Sequence, residues 1–308
     1  MDGILSKVAR DRRPEFLRGQ TRRGERVARL RIMLRESHLH TVCEQARCPN
    51  LGLCFGKKTA AFMILGRLCT RSCRFCAVSK GIPLAPDPNE PERVAAAALE
   101  LGLKHIVITS VTRDDLEDRG ANQFLEAVLA VKKVLPDSTV EVLTPDFSGR
   151  MESAARVLDP GPDVFNHNLE TVPRLYPWVR PQADYKRSLA LLEFAGKNAA
   201  RPITKSGIMA GMGETRKEII SVMRDLAAAG CRALTIGQYL APSRKHWPVA
   251  RYLEPEEYAE LRELGLELGF ALVFAGPLVR SSFNAGEILE SVRGRGSMPL
   301  RHSREAVR

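Results

Sequence analysis

Short apolar runs rich in β-branched residues alternate with helical patterns along most of the chain. The runs typical of buried strands are residues 61–65, 105–110, 139–144, 163–169, 203–209, 233–240 and 271–275. Between them apolar side chains recur at helical spacing, as in Phe124, Val128 and Val131. This alternation predicts right-handed crossovers and a parallel sheet, either doubly wound or barrel-like. In both architectures the active-site residues lie at the carboxyl ends of the strands.

The composition is that of a globular chain with a sizeable core. Of 308 residues, 44% are hydrophobic and 27% are charged. No stretch approaches the ~18 consecutive apolar residues of a membrane-spanning helix. The first ~30 residues lack the apolar centre of a signal peptide. We therefore expect a cytoplasmic chain, whose seven cysteines are reduced and serve metal binding or catalysis.

The net charge of +11 is concentrated in the two terminal arms. Residues 1–35 carry a net +7 and residues 293–308 a net +4, whereas residues 36–292 hold 31 basic and 31 acidic residues. A basic arm can bind nucleic acid, an anionic membrane or an acidic protein, or it can be a solvated tail. The arms do not interleave aromatic with basic residues, which argues against nucleic acid.

Six of the seven cysteines form two closely spaced triplets. Cys43, Cys48 and Cys54 read C-x4-C-x5-C, and Cys69, Cys73 and Cys76 read C-x3-C-x2-C. Such spacing lets one loop wrap several soft thiolates around an iron–sulfur cluster or zinc. Structural zinc favours four ligands in two C-x2-C pairs, which neither triplet supplies, although His38 and His40 lie near the first. Three thiolates on a four-iron cluster leave one iron open for a catalytic ligand.

The second triplet follows a predicted strand and carries the aromatic Phe75 between its last two cysteines. In this it resembles the radical S-adenosylmethionine superfamily. The resemblance implies that the open iron binds the amino acid end of S-adenosylmethionine and that one-electron cleavage of this cofactor generates a hydrogen-abstracting radical. A Ser–His–Asp grouping and a phosphate-binding P-loop are both absent from the sequence, which argues against hydrolases and kinases.

The first triplet narrows the resemblance to the lipoyl synthase family, over roughly residues 40–290. The chain shares with that family Val-Cys-Glu-Gln-Ala-Arg-Cys-Pro-Asn (42–50), Phe-Asn-His-Asn-Leu-Glu-Thr-Val (165–172), Thr-Lys-Ser-Gly-Ile-Met (204–209) and Gly-Pro-Leu-Val-Arg-Ser-Ser (276–282). Two positions depart from the family pattern. Arg119 stands where a glycine is usual, and Phe283 stands where a tyrosine is usual.

The resemblance implies insertion of sulfur at C6 and C8 of a protein-bound octanoyl-lysine. It also implies two [4Fe–4S] clusters and two molecules of S-adenosylmethionine per product. The cluster on Cys69, Cys73 and Cys76 would bind S-adenosylmethionine, and the auxiliary cluster on Cys43, Cys48 and Cys54 would donate sulfur. The family places a serine of the Arg-Ser-Ser motif as the fourth auxiliary ligand, which we assign to Ser282 in preference to Ser281. From spacing alone Cys231 or solvent would be chosen, and the two serines could instead cap a helix near Ala285.

Polar residues at strand ends are further candidates. Asn168 and Glu170 are expected to contact S-adenosylmethionine or to be structural polar groups. The same two interpretations apply to Lys205 and Ser206. Arg113, Asp114 and Asp115 follow the strand 105–110, where a βα loop is expected to face the site, and His167 is expected to be a core histidine.

These features predict an α/β partial parallel (β/α)6-type barrel with N-terminal and C-terminal extensions closing over the site. The expected divisions are 1–58, a basic arm with the auxiliary cysteines; 59–276, the barrel; and 277–308, the Arg-Ser-Ser extension and tail. The expected partners are an octanoylated carrier protein, of the E2 lipoyl-domain or glycine-cleavage H-protein type, and an electron donor. The alternatives are another sulfur-inserting or methylthio-transferring radical enzyme, and a cluster- or zinc-bearing scaffold that binds acidic partners.

Overall fold

The computed structural model describes residues 13–17, 24–56, 60–198, 202–282 and 285–286. Its strands are β1 His40–Thr41, β2 Ala61–Ile64, β3 Leu68–Cys69, β4 Ser79–Lys80, β5 His105–Ser110, β6 Thr139–Leu143, β7 Val164–Asn166, β8 Ile203–Ala210, β9 Ala233–Gln238 and β10 Leu272–Gly276. Its α-helices are α1 Glu25–Glu36, α2 Val42–Gln45, α3 Leu51–Gly56, α4 Glu90–Leu101, α5 Ala121–Val134, α6 Met151–Leu158, α7 Tyr176–Val179, α8 Tyr185–Lys197, α9 Arg216–Ala228 and α10 Pro255–Glu267. Within these ranges no helix is long and apolar enough to cross a bilayer.

Eight strands form one sheet in the order β1-β2-β5-β6-β7-β8-β9-β10. All neighbours from β2 to β10 are parallel, and only β1 is antiparallel, to β2. Helices follow each parallel strand up to β9, which gives six strand–helix units and a final strand. No pairing joins β2 to β10 in the part of the chain described, so the barrel is open there. The predicted α/β partial barrel is confirmed.

The strands are buried because helices cover their outer face. In β5, Ile106 and Ile108 are completely buried, and they pack in one cluster with apolar side chains of α4 and α5 such as Val94 and Val128. Each such side chain contributes about 1.5–3 kcal/mol of burial free energy. Helix ends are also specified locally. In α9, Thr215 and Glu218 form a reciprocal capping box, and Arg174 pairs with Glu218.

The N-terminal arm is partly integral to the core. The predicted helix near 24–36 is confirmed as α1, which buries Val27, Leu30 and Leu34 in the same cluster as Phe55 of α3. The interpretation of the arm as a solvated tail is therefore wrong for α1, because its apolar stripe faces the barrel. Residues 1–12 and 18–23, and the basic tail from 287 onward, lie outside the described residues.

Arg119 adopts a left-handed backbone conformation, with φ of 58°. This conformation is accessible to glycine at no steric cost and costs other residues about 1–2 kcal/mol. The arginine side chain offsets part of that cost, because its Nη1 donates to the carbonyl oxygens of Asp114 and Leu116. The loop thus tolerates the departure from the family pattern. Phe283, the other departure, lies outside the described residues.

Candidate functional site

A cavity of about 500 Å³ lies at the carboxyl ends of the barrel strands. Residues from or just after β5, β6, β7, β8 and β9 contribute to its wall, as the parallel topology requires. The predicted site residues that line it are Cys43, Cys48, Cys54, Cys69, Cys73, Cys76, Asn168, Glu170, Ser281 and Ser282. All six cysteines are half-buried, and none of them forms a disulfide. Both triplets therefore face one enclosed space, although 14 residues of sequence separate Cys54 from Cys69.

Within the cavity the thiols remain in two groups. Burial raises the pKa of Cys43 to about 12, and the neighbouring thiols of Cys48 and Cys54 add to the rise. Burial likewise raises the pKa of Cys76 to about 12, with Cys73 and Cys69 adding to it. Cys43 and Cys76 are thus each influenced by the other thiols of their own triplet. Metal binding requires thiolates, so a metal bound at either group must displace these protons.

The second triplet is held by backbone contacts on both sides. Cys69 lies in β3, which pairs with β4, and its carbonyl oxygen accepts from the Gly81 amide at 3.2 Å. On the other side the Arg74 amide donates to the Val179 carbonyl oxygen, and the Trp247 amide donates to the Arg74 carbonyl oxygen. The cysteine loop is therefore anchored to the segments after β7 and β9.

A buried arginine sits inside the second cysteine motif. Arg71 donates to Asp114 at 2.6 and 2.9 Å and to Asp146 at 2.6 Å. Asp146 precedes a turn in which Phe147, Ser148 and Gly149 all have positive φ, and Ser148 donates to Asp114 at 2.7 Å. Burial opposes ionisation of Asp146, but Arg71 outweighs it and lowers the Asp146 pKa to about 2. This network positions the loop that carries Cys69 and Cys73.

Arg71 and Arg180 line the cavity and are candidate site residues that the sequence analysis missed. Arg180 is buried in the cavity wall, where its Nη1 donates to the carbonyl oxygens of Asn168 and Leu169 and its guanidinium lies 5.0 Å from the centre of the Tyr176 ring. Its Nε is buried and has no hydrogen-bond partner within the described chain. Arginine is common in this sequence, and only long-range contacts distinguish these two from exposed ones such as Arg74.

Asn168 and Glu170 extend β7 along β8. The Glu170 amide donates to the Gly207 carbonyl oxygen, and the Met209 amide donates to the Glu170 carbonyl oxygen, although Glu170 has a left-handed φ of 68°. Asn168 Nδ2 donates to Glu170 Oε1 at 3.1 Å. Burial raises the pKa of Glu170, against the opposing effect of Arg180. These polar atoms form the cavity wall beside Cys73 and Cys76, whose pKa values Glu170 also raises.

The segment 277–282 folds over the first triplet. Asn50, between Cys48 and Cys54, donates from Nδ2 to the Leu278 carbonyl oxygen at 2.7 Å. The segment also lies against β9, where a Cβ on Gly237 would collide with the Val279 carbonyl oxygen. Burial raises the pKa of Cys48, and nearby Arg280 opposes the rise. A contact across 228 residues of sequence thus brings the Arg-Ser-Ser motif to the first triplet.

The two serines differ in their contacts. Ser281 Oγ donates to Asn168 Oδ1 at 2.9 Å and accepts from Asn166 Nδ2 at 2.8 Å. Its proton is therefore committed to a structural hydrogen bond. Ser282 also lines the cavity. Residues 283–284 and the helix expected from near 285 lie outside the described residues, apart from Ala285 and Gly286, so the capping interpretation is not tested.

The remaining candidates have structural partners. His167, as expected, is a core histidine, bonded to the Thr144 carbonyl oxygen and to Ser188 Oγ, and burial lowers its pKa to about 4. Lys205 pairs with Glu141, and Ser206 accepts from the Leu169 amide. Arg113 pairs with Asp115, while Asp114 holds Arg71. Cys231, His38 and His40 are not among the residues that line the cavity.

The cavity suits anionic clusters held by thiolates. Each group offers three thiols, and five arginines line the same space: Arg13, Arg47, Arg71, Arg180 and Arg280. Among the acids of the lining, Asp146 is paired with Arg71 and Arg187. Positive charge around three thiolates stabilises a bound iron–sulfur anion. In the described ranges no three His, Cys, Asp or Glu side chains converge closely enough to hold a single metal ion.

Comparisons with known proteins agree with this architecture. The profile of the Radical SAM superfamily matches residues 63–226. The crystal structure of methylornithine synthase (PylB) superposes with a TM-score of 0.52 at 15% identity, covering 93% of this chain and 96% of that one. The structure of Streptococcus suis SuiB bound to S-adenosylmethionine also gives 0.52, at 13% identity, over 73% of this chain and 53% of that one. At such identity these two structures support the fold alone.

Curated relatives are far more similar in sequence. The lipoyl synthase of Rubrobacter xylanophilus is 51% identical over 289 residues, which covers 94% of this chain and 90% of that protein. The lipoyl synthase of Methylococcus capsulatus is 54% identical over 279 residues, covering 90% and 86%. The chain is therefore a radical S-adenosylmethionine enzyme. Within that class it belongs to the lipoyl synthase family. Membership implies S-adenosylmethionine and two [4Fe–4S] clusters as cofactors.

Proposed function

We propose that this chain inserts two sulfur atoms, at C6 and C8, into an octanoyl group carried on a lysine of another protein. The observation that carries the proposal is the convergence of two separate thiol triplets on one cavity of about 500 Å³. When bound, the clusters and S-adenosylmethionine supply the electron, the hydrogen-abstracting radical and the sulfur. Because the C–H bonds of an octanoyl chain are unactivated, acid–base side chains alone could not perform this reaction.

The residues of this chain have distinct roles in the proposal. Cys69, Cys73 and Cys76 would hold the cluster that binds S-adenosylmethionine, and Asn168 and Glu170 would contact that cofactor. Cys43, Cys48 and Cys54 would hold the auxiliary cluster. Ser282 would be its fourth ligand, since the proton of Ser281 is already donated to Asn168. An alkoxide ligand is harder than thiolate and a poorer match for soft iron–sulfur sites, so it can leave readily.

Buried side chains of the cavity would orient the reactants and exclude water. Arg71 would keep the second cysteine loop in place through Asp114 and Asp146. The backbone of 277–282 would close the cavity above the first triplet. In this description residues 1–58 provide the arm and auxiliary cysteines, residues 59–276 the barrel, and residues 277–308 the closing extension. The substrate would be an octanoylated carrier protein, of the E2 lipoyl-domain or H-protein type, met in the cytoplasm with an electron donor.

The test separates the two triplets. Anaerobically reconstituted protein is incubated with S-adenosylmethionine, reductant and an octanoyl-lysine peptide, and mass spectrometry follows 5′-deoxyadenosine and lipoyl product. Cys73→Ala should abolish both, because two thiolates do not assemble that cluster. Cys48→Ala should retain 5′-deoxyadenosine formation and lose sulfur insertion.

Cys231→Ala is the matched control and should retain both products, because its thiol lies outside the cavity lining. A Cys48→Ala protein that still makes lipoyl product would refute the assignment of the sulfur donor. Methylthio transfer to RNA with no activity on the peptide by unmodified protein would favour the alternative class of enzyme.

A further inference from the structure

Two apolar side chains protrude from the loop that follows the second cysteine triplet. Ile82 is 92% exposed and Leu84 is 87% exposed, whereas the next most exposed large apolar residue of the described chain, Leu99, is 53% exposed. Scattered exposed apolar residues are ordinary, but two nearly complete exposures two residues apart form a candidate contact surface. We call residues 80–88 the rim loop.

The rim loop is anchored at both of its ends. At its start the Gly81 amide donates to the Cys69 carbonyl oxygen at 3.2 Å. At its end Asp87 accepts from the Asn89 amide at 2.9 Å and pairs with Arg93 at 2.8 Å. Between these points the backbone is restricted by Pro83, Pro86 and Pro88. Since little conformational entropy is left to lose, Ile82 and Leu84 can contribute to binding with a small ordering cost.

The rim loop begins at the wall of the cavity. Ala77, Val78 and Lys80 line the cavity, and Lys80 is the register partner of Cys69. Ile82 is two residues further along the chain. The exposed apolar pair is therefore continuous with the entrance to the space that holds the thiols.

The exposed charged residues of the cavity lining are all positive. Arg13, Arg47 and Lys80 are exposed. The two acids of the lining, Asp146 and Glu170, belong to the interior networks with Arg71 and Asn168. A rim of this sign attracts a partner that is acidic around its contact surface.

The size of the cavity decides what that partner is. A space of about 500 Å³ accommodates a drug-sized group and not a folded domain. A protein that presents an acyl-lysine to the thiols must therefore remain outside, with one side chain extended inward. Its folded surface then meets the rim loop.

We propose that Ile82 and Leu84, together with Arg13, Arg47 and Lys80 of the cavity lining, form the docking surface for the folded, acidic carrier protein whose acyl-lysine enters the cavity. This inference rests on the proposed function. The apolar pair supplies the desolvated centre of a small, transient interface, and the basic side chains supply its polar rim.

The experiment compares a carrier protein with a short peptide. Reconstituted holoenzyme with Ile82→Gln and Leu84→Gln is assayed on an octanoylated E2-type lipoyl domain and on an octanoyl-lysine peptide. The KM for the domain should rise about tenfold or more, as for loss of an interface centre, while kcat/KM on the peptide stays within about twofold. The matched control carries Leu99→Gln and Leu129→Gln, two exposed apolar residues of α4 and α5, and should match the unmodified protein on both substrates.

Direct binding keeps the test independent of turnover. Calorimetric titration of the unmodified enzyme with the non-octanoylated domain should give a Kd that the Ile82/Leu84 variant weakens about tenfold. If the unmodified enzyme binds the domain in this way but converts neither substrate, the proposed function fails and the docking surface stands. Equal Kd and KM values for the variant would overturn the docking surface.

Two further results would overturn it by identifying another occupant. An equal loss of turnover on peptide and domain would show that the loop supports the site itself. A change from dimer to monomer in light scattering would show that Ile82 and Leu84 cover a second copy of this chain.

Discussion

At the scale of single residues, Ser281 and Ser282 occupy adjacent positions with different chemistry. Ser281 joins Asn166 and Asn168 through its Oγ. Asn166 in turn donates to the buried carboxylate of Glu141 at 2.8 Å. Ser281 thus links the C-terminal segment to the barrel wall by hydrogen bonds, and this link holds Ser282 at the cavity.

Ser282→Ala should leave the auxiliary cluster assembled on its three thiolates but alter the electron paramagnetic resonance spectrum of that cluster in the reduced state. Sulfur insertion into an octanoyl-lysine peptide should fall by at least about tenfold, in line with loss of one positioned metal ligand. Formation of 5′-deoxyadenosine should persist.

Ser281→Ala is the comparison for this change. It removes a hydrogen bond worth about 1 kcal/mol. It should therefore lower the unfolding free energy by about that amount and leave the spectrum of the auxiliary cluster nearly unaltered. An altered spectrum for Ser281→Ala alone would transfer the ligand role to Ser281.

Glu141 and Lys205 form a fully buried ion pair, with Nζ 2.9 and 3.0 Å from the two carboxylate oxygens. Burial opposes ionisation of Glu141, but Lys205 and His105 outweigh it and lower the Glu141 pKa from 4.5 to about 2. The depressed pKa means that this group stabilises the fold above about pH 4.5 and loses that contribution as pH falls toward 2.

Glu141→Gln should cost about 3–5 kcal/mol of unfolding free energy at pH 7, because it leaves the Lys205 ammonium buried without its counter-charge. Urea unfolding of cluster-free protein measures the effect, and the difference from the unmodified chain should narrow between pH 4.5 and 2. The double change Glu141→Leu with Lys205→Met should recover most of the loss. If the double variant loses as much unfolding free energy as Glu141→Gln, the loss arises from packing and not from the unpaired charge.

The thiol groups could be predicted from the sequence because the three cysteines of each triplet lie close together along the chain. Cys69 to Cys76 span eight residues, so spacing alone shows that they can surround one centre. Arg71 and Arg180 could not be predicted in this way, because their partners, such as Asp146 and Leu169, become neighbours only in the folded barrel. Lys205 looked like a site residue for the same reason, since its partner Glu141 is 64 residues away.

At the scale of elements, the parallel strands of the described sheet could be predicted from β-branched apolar runs, and each predicted run overlaps one of these strands. The family resemblance implies that the C-terminal extension closes over the site, but strand and helix patterns do not predict the path of 277–282. This segment contains no regular element, and its path depends on a small residue in β9. Gly237 leaves room for the Val279 backbone to approach that strand.

Gly237→Ala should force the segment 277–282 away from β9, since its Cβ would collide with backbone rather than with a movable side chain. We expect a loss of about 1–3 kcal/mol in unfolding free energy and a larger loss of sulfur insertion than of 5′-deoxyadenosine formation. Gly196→Ala is the control, because its Cβ would lie 3.6 Å from Thr204 Cγ2, an ordinary contact. Unchanged sulfur insertion in Gly237→Ala would show that the segment does not close the site.

At the scale of the whole molecule, the N-terminal basic arm contributes to the core as well as to the net charge. The first contains α1 and the turn at Glu15–Leu17, and it buries Leu17, Val27, Leu30 and Leu34. Four such side chains contribute together about 6–12 kcal/mol of burial free energy, which is comparable with the total stability of a domain. The second arm, residues 293–308, contributes five arginines and Glu305, a net charge of +4.

Deletion of residues 1–36 should therefore prevent cooperative folding, whereas deletion of residues 293–308 should leave the melting temperature of the reconstituted enzyme unchanged within about 2 °C. The shorter tail lowers the net charge from +11 to +7. Association with an acidic lipoyl domain should weaken slightly and its dependence on salt should decrease, because a lower net charge attracts an acidic partner less and salt screens this attraction. Binding titrations at 50 and 300 mM salt measure the salt dependence of the Kd for the domain. Turnover of the octanoyl-lysine peptide is the control and should not change on deletion of the tail. If the tail deletion abolishes binding at both salt concentrations, the tail makes a specific contact and is more than a source of charge.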